Sequence, residues 1–470
     1  MPAIPIVAGI YSDNGPDVRV SFPVNMMPVP KGSGVSQEYL RPHDGVVQLA
    51  AGAPGADRGG IEWNGVCYRV MGTKLVTVAA GGAITVLGDV GGTGYVTFDY
   101  SFDRLAIASG GNLFYWSSTL GLIQVTDPDL GTVLDVVWVD GYFMTTDGEF
   151  LVVTELSDPT QVNPLKYGSS EVDPDPVVAL LKSRNEVYAL NRHTIEVFDN
   201  IGGSLFPFQR IDGAQIMRGT IGTFSCCVFG DEGIAFLGSG RNEAPSVYLG
   251  ANSSSVPLAT QDVDLLLQTY TEAQLADVKL EARFDRAHQL LYVHLPDRTL
   301  VYDHTASQAL SQRIWFTLTS DVVGFAQYPV RNVVWCYDRW IVGHPSEPRV
   351  GYLDRKISTQ WGQKARWEFA CPIIYNESKG AIFHELELVA LPGRVTVGSN
   401  PTISTSYSTD GMSWSQDRFI GAGATGDTRK RLVWFQQGNM ESIRMQRFRG
   451  DSDAHISFLR LEARLEPLNV

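Results

Sequence analysis

"HQLLYVHLPDRTLVYD", residues 288–303, is two short apolar bursts around a Leu-Pro-Asp-Arg break. Val, Tyr and Leu favour a pleated, half-buried surface, and Pro and Asp punctuate it. The stretch therefore predicts a β-hairpin with a short loop. The same pattern occurs as "NGVCYRVMGTKLVTV" at 64–78, "FDRLAIASGGNLFYW" at 102–116 and "VDGYFMTTDGEFLVV" at 139–153. It continues as "RNEVYALNRHTIEVF" at 184–198, "DEGIAFLGSGRNEAPSVYLG" at 231–250 and "YDRWIVGHPSEPRVGYLD" at 337–354. A further strand often leads in, such as "VTFDYS" at 96–101, "VLDVVW" at 133–138 or "VVALLK" at 177–182.

Repeats of about 40–50 residues with four strands each are the signature of propeller blades. One four-stranded sheet cannot bury both faces, whereas blades packed around an axis can, and ring closure leaves only short edges. The expected fold is all-β. It is a β-propeller over 61–355, with six blades favoured and seven possible because one blade can combine strands from both chain ends. Two β-sandwiches are the competing architecture. "TQDVDLLLQTYTEAQLADVKLEARF" at 260–284 breaks the rhythm with helical spacing, and Thr271 with Gln274 forms a capping box. This segment predicts two short helices inserted between blades. From 361 to 470 the strands alternate in a different texture and predict a separate β-sandwich-like domain, with a core around Trp367, Trp414 and Trp434. Residues 1–60 are irregular and rich in Pro and Gly, and predict an extended arm lying on another surface.

The 470 residues carry a net charge of −14. Residues 361–470 hold 13 Lys/Arg and 12 Asp/Glu, which leaves −15 on residues 1–360. Residues 126–175 hold eleven acids and one base, Lys166. So acidic a chain is poorly suited to gripping phosphates. No apolar run of about 18 residues exists, so no membrane insertion is expected. The start lacks a basic n-region and a long apolar core, so cytoplasmic synthesis is expected. The five cysteines, with no CxxC, read as buried thiols rather than disulfides or a zinc site.

No nucleophile elbow, metalloprotease motif, P-loop or dinucleotide fingerprint is present. "GDVGGTG" at 88–94 lacks the P-loop Lys and reads as a turn. His288, His294 and His304 are close in sequence, but strand alternation need not bring them to one face. "YSTDGMSW" at 407–414 is one residue shorter than the Asp-box turn of sialidase-type propellers and reads as an Asp-Gly hairpin turn. The expectation is no enzyme, no catalytic residue, no metal and no cofactor. A carbohydrate-binding or glycoside-cleaving propeller is the alternative, since paired carboxylates leave no sequence signature. Arg429, Lys430, Arg431, Arg444, Arg447 and Arg449 lie in two basic stretches with interleaved aromatics and are candidate interface residues.

Several segments together resemble the "packaged DNA stabilisation protein" family of short-tailed, Salmonella-type phages, the podovirus tail hub or nozzle. They include "PVNMMPVPKG" at 23–32, "EYLRP" at 38–42, "YRVMGTKL" at 68–75 and "GDVGGTGYV" at 88–96. The densest part is "APSVYLG" at 244–250, "SSSVPLAT" at 253–260, "YTEAQLADVKLEARFD" at 270–285 and "LLYVHLPDRTLVYDHTASQ" at 290–308. The resemblance is weaker over 355–470. It implies a virion structural protein: a homo-hexamer below the portal that extends the DNA channel, retains the packaged genome and passes it during ejection. The implied partners are a portal-adaptor (head-completion) protein, a tail needle or plug, tailspikes or fibres, and double-stranded DNA in transit without specific binding. The implied location is the virion tail, assembled in the host cytoplasm. In such a channel an acidic wall would let a polyanion slide without sticking. Asp127, Asp129, Asp135, Asp140, Asp147, Glu149, Glu155 and Asp158 are the candidate lining, with Glu171, Asp173 and Asp175 in the same run.

Overall fold

The structure is a computed structural model that describes residues 3–10, 23–31, 36, 38–285, 288–376, 379–395, 400–411, 413–451 and 453–468. Each of the seven hairpins is the second and third strand of an antiparallel sheet, four-stranded in six blades and five-stranded in the fifth. The opening hairpin is His288–His294 and Thr299–Asp303, flanked by Lys279–Asp285 inside and Trp315–Leu318 outside. The innermost strands begin at Asp57, Thr97, Asp135, Val177, Gly219, Lys279 and Arg331, and each touches the next around a closed ring. In the fifth blade the inner position is shared by Gly219–Thr220 and Cys226–Val228.

Period-two alternation explains why the sheets stack. In Leu105–Ser109 of the second blade, Leu105 and Ile107 point into the core shared with the first blade. Ala106 and Ala108 point into the core shared with the third. Every adjacent pair of blades shares one such cluster, and the seventh closes on the first through Val334, Cys336 and Ile341 against Cys67, Met71 and Val76.

The favoured count of six blades is corrected to seven. The last blade has Arg331–Cys336, Arg339–Gly343 and Arg349–Asp354, and its outer strand, Gly45–Ala51, comes from the chain start. The shared blade therefore completes a seventh sheet instead of merging two hairpins into one. Ring closure also buries a bidentate ion pair. Arg69 donates from Nε and Nη2 to Asp57 at 2.8 and 2.7 Å, and both side chains are inaccessible to solvent.

The helical insertion is Gln261–Leu267 and Glu272–Ala276, with the capping box at Thr271 and Gln274 in place. It ends sooner than expected, because Lys279–Asp285 is the inner strand of blade six. Val263, Leu267 and Leu275 plug the core between blades five and six. A third helix, His304–Leu310, links the third and outer strands of blade six, and Asp303 caps its start by accepting from Ala306 N at 3.0 Å.

The two sheets of the C-terminal body enclose one core. One sheet contains Ala381–Ala390, Leu432–Phe435 and Phe458–Pro467, and the other Trp367–Ala370, Thr402–Ser408, Arg418–Gly421 and Ile443–Gly450. Trp367 and Trp434 lie in this core with Phe369, Phe383, Phe448 and Phe458. Trp414 does not; it is half-buried beneath the Arg447 guanidinium, 4.1 Å from its ring centre.

The arm expected over 1–60 is also corrected. Residues 1–2, 11–22, 32–35 and 37 of it lie outside the described residues. Met26–Pro30 and Glu38–Pro42 extend the first sandwich sheet, and Ala3–Ile4 pairs with Leu461 and Glu462 of its last strand. Ile6, Val7, Met26 and Leu40 sit in the sandwich core. Between them, Val24 N donates to Glu368 O at 2.8 Å and Thr317 N to Pro23 O at 2.9 Å, so one segment joins sandwich to blade six. Asn25 completes the junction by donating from Nδ2 to Thr319 O at 2.9 Å and Arg366 O at 2.7 Å.

Candidate functional surfaces

Strand order assigns every loop to one of two faces. First-to-second and third-to-outer turns emerge on what we call the proximal face, where the chain also leaves blade seven for the sandwich. Second-to-third turns and blade-to-blade crossings emerge on the distal face.

The propeller axis holds a cavity of about 370 Å³ lined by inner-strand residues of all seven blades. Asp135 faces it and is 2% exposed, and its carboxylate accepts from Val136 N and Leu180 N, both at 2.8 Å. Burial outweighs these bonds and pushes its pKa up to about 7. Asp99 accepts from Trp138 N at 2.6 Å and lies 3.5 Å from the Lys182 ammonium. Lys279 sits 4.6 Å from the centre of the Tyr95 ring, which packs edge-on to Phe224. Paired charges and aromatic rings thus narrow the axis to this cavity. At about 370 Å³ it is too small for a duplex, whose major groove alone is about 12 Å wide.

The acidic run does not line one wall. Asp127, Asp129, Asp147, Glu149, Glu171, Asp173 and Asp175 lie in distal-face loops around blade three. Asp140, Glu155 and Asp158 lie in its proximal-face turns, and Asp135 is the buried axial group just described. Several are turn-builders. Asp127 accepts from Asp129 N and Val162 N, Asp147 from Glu149 N and Phe150 N, and Asp158 from Thr160 N. Asp175 accepts from Thr194 N at 3.1 Å. Others are paired: Glu155 with Lys166 at 2.6 Å and Asp173 with Arg241 at 2.8 Å. Asp129, Glu149 and Glu171 are exposed on the distal face. Asp140 and Gly141 form a two-residue turn with φ of 48° and 92°, a geometry that suits Asp-Gly.

The basic candidates separate as well. Arg429, Lys430 and Arg431 are exposed on the loop before Leu432–Phe435, with Arg431 held by Glu387. Arg444 is fully buried: its guanidinium is 3.9 Å from the Tyr407 ring centre, and burial lowers its pKa to about 10. It is corrected from interface to core. Arg447 covers Trp414 and Arg449 pairs with Asp417, so both hold the sandwich's own surface together.

The two turn motifs read as turns. Arg58 donates to the carbonyls of Gly72, Gly91 and Gly94 and to Ser109 Oγ, gathering "GDVGGTG" around one guanidinium. A Cβ on Gly92 would lie 2.8 Å from Gly110 Cα, which is why glycine stands there. In "YSTDGMSW", Asp410 accepts from Ser413 N at 2.8 Å and from Ser408 Oγ at 2.9 Å, and Ser408 Oγ accepts from Gly411 N. The three histidines diverge: His288 bonds Asp303, His294 bonds Thr299, and His304 bonds Gln308. Among the described residues, no group of three or more His, Cys, Asp or Glu is placed to hold a metal ion, and no helix is long and apolar enough to cross a membrane.

Sequence reasoning missed a buried charged junction between the arm and blade six. Asp44 accepts from Arg41 at 2.7 Å and from Arg283 at 2.5 Å, and His43 Nε2 is 3.1 Å from Tyr292 Oη. The "RPHD" run at 41–44 was the available signal: four consecutive polar or turn residues just before an apolar strand.

These features define a class: a seven-bladed propeller with a narrow axis, fused to a β-sandwich that takes in the chain start. The family model described as "Bacteriophage P22 Gp10, beta-propeller" matches residues 2–358, and "Bacteriophage P22 Gp10, beta-sandwich" matches 366–466. The chain belongs to the P22 Gp10 family. It is 27% identical over 466 residues to the tail hub protein gp10 of Salmonella phage P22, covering 94% of each chain. This homology supports a structural role at a phage tail hub. Among solved structures, the N-terminal domain of Nup159 covers 66% of the chain and 95% of its own length at 8% identity and TM-score 0.42. The Pan2 WD40 domain of Neurospora crassa covers 66% and 94% at 9% identity and TM-score 0.40.

Proposed function

We propose that six copies form the tail hub as a ring whose shared lumen, not any propeller axis, continues the DNA channel below the portal. The ring receives an adaptor protein above and a needle or plug below, retains the packaged genome, and passes duplex during ejection. The observation that carries this is the narrow axis: with Asp99–Lys182 and Tyr95–Phe224 across it, its cavity of about 370 Å³ is too small to pass a duplex. Tailspikes or fibres attach to its outer side, and assembly takes place in the host cytoplasm.

Asp129, Glu149 and Glu171 are the acids able to face such a lumen, since the rest of the run builds turns, forms ion pairs, bonds a neighbouring side chain (Asp140 with Asn185) or is buried. In a ring of six, each becomes a circle of carboxylates. Screening over about 8 Å at 0.15 M salt confines their effect to DNA passing close by. The test places Lys at these three positions in otherwise complete particles and measures genome ejection. Slower ejection, relieved by added salt, is expected. Unchanged ejection at low salt with intact tails removes the acidic lining, and particles that assemble and retain DNA without this protein remove the hub role itself.

A further inference from the structure

Phe102, in the first turn of blade two, is 92% exposed. Its ring packs edge-on against Trp138 of blade three, with centroids 5.6 Å apart. Leu156, 58% exposed, lines with Phe102 and Trp138 the apolar part of a groove of about 510 Å³ that opens on the proximal face between blades two and three. Asp140 lines it, and Asp158 stands in the chain between the lining residues Ser157 and Pro159. The nearby cations are engaged: Arg104 with Asp103 at 2.7 Å and Lys182 with Asp99. The groove is therefore aromatic with a negative rim.

A second patch has the same build and the opposite sign. Arg418–Gly421 and Leu432–Phe435 are edge strands of the two sandwich sheets. Trp434 Nε1 donates to Arg418 O at 2.9 Å, so the two edges lie side by side. Phe419 and Phe435 project from them at 66% and 63% exposure. Exposed Arg429 and Lys430 outnumber the loop's Asp427 beside them. Large exposed aromatics grouped within a charged rim mark interaction surfaces rather than ordinary solvent-facing residues.

We propose that the sandwich edge of one copy docks in the blade two–three groove of the next, with Phe419 and Phe435 against Phe102 and Leu156, and Arg429 and Lys430 against Asp140 and Asp158. The contact joins two different patches of the same chain, so it is heterologous and propagates from copy to copy until rotation closes a ring. Complementary charge fixes the order of docking and disfavours groove-to-groove pairing. The proposal rests on the ring reading above and names the surfaces that make it.

The test uses the full-length chain in assembled tails. The double variant Phe102→Cys with Phe419→Cys is oxidised and run under denaturing, non-reducing conditions. A ladder of covalent multimers of this chain is expected, with each single variant giving none. Four of the five native cysteines are buried and the fifth is partly so, which keeps the background low. In parallel, Asp140→Lys with Asp158→Lys, and separately Arg429→Glu with Lys430→Glu, are each expected to lower incorporation about tenfold, and the four changes together to restore it. Normal incorporation with no ladder, or a cross-link to a different tail protein, overturns the docking while leaving the hub reading intact. Tails in which the wild-type chain forms no ring overturn the hub reading and this contact with it.

Discussion

The propeller and the sandwich are both closed β-structures, but they close in opposite ways. The propeller distributes its apolar surface over seven similar clusters, each between sheets that are neighbours in sequence, except at the single seam where blade seven meets blade one. The sandwich has one cluster, and it draws on residues from both ends of the chain, from Ile6 to Ala463. Repetition makes a fold of local contacts, whereas a core fed from both termini forms only when the whole chain is present. The arm couples the two, because Gly45–Ala51 seals the ring while Met26–Pro30 and Glu38–Pro42 extend the sandwich.

Removing residues 356–470 tests that coupling most severely. It strands Met26 and Leu40, both fully buried in the intact chain, on the propeller. The truncated protein is expected to be insoluble on expression. A soluble, monodisperse propeller with native far-UV dichroism would show that the ring stands alone. Single large-to-small changes come next. Phe448→Ala in the sandwich and Leu180→Ala between blades three and four should each cost several kcal/mol, about 3–5 and 2–5 respectively. If the two bodies are coupled, either change lowers one common unfolding transition in calorimetry. Two separate transitions, with only one moved by each variant, would break the coupling.

Asp44→Asn probes the junction directly. The Arg283 and Arg41 guanidiniums hold this carboxyl well below the usual carboxylate range despite its burial. Loss of one partner in a buried ionic network costs about 3–5 kcal/mol. A change under 1 kcal/mol in denaturant unfolding would contradict the network's importance. Acid sensitivity should follow from His43 and His294. Burial lowers them to about 3 and about 4, so the unfolded chain binds protons near pH 6.5 that the folded chain refuses. Their contribution is complete above pH 6.5 and is lost as pH falls towards 4, at up to about 1.4 kcal/mol per unit for each. Asp135, raised to about 7, acts in the opposite sense: its folded form retains a proton that the unfolded chain releases, so stability falls as pH rises from about 4 to 7. Asp135→Asn should therefore steepen the loss of stability on acidification; a slope unchanged from wild type would remove this assignment. The smallest effect is expected at the helical insertion. Thr271→Ala removes the cap of a five-residue helix and should cost about 1 kcal/mol, read as faster hydrogen exchange at 272–276 and little elsewhere.

The seven hairpins were legible in the sequence because alternation and turn residues are local signals. The capping box at Thr271 was legible for the same reason. The blade count was not, since "GVVQLAA" at 45–51 pairs with a strand about 300 residues away and sits in a Pro- and Gly-rich context that reads as a loop. "MMPVP" and "EYLRP" carry prolines that argue against strands; the first is the sheet's edge strand, and in the second Leu40 alone is paired to the last strand. Among the acids, alternation could not separate Asp135, aimed at the axis, from Asp129, in a crossing loop. The basic stretch at 444–449 is a strand of a two-sided sheet, so Arg444 falls in the core while Arg449 reaches the surface.

The pairing of Ala3–Ile4 with Glu462 and Leu461 has a consequence for biosynthesis. Ala3–Ile4 finds its place only after Phe458–Pro467 has been translated. At about 5–20 residues per second, that wait is roughly 20–90 s. Until then Met26 lacks its partners in the sandwich core, whereas Met27 and Val29 can already pack between blades six and seven. A polypeptide interrupted before Phe458–Pro467 carries a sandwich without that strand, and one interrupted before Arg349–Asp354 carries an open ring as well. Only a chain read to its end can present a sealed unit for assembly, so translation to completion acts as an inspection step written into the topology.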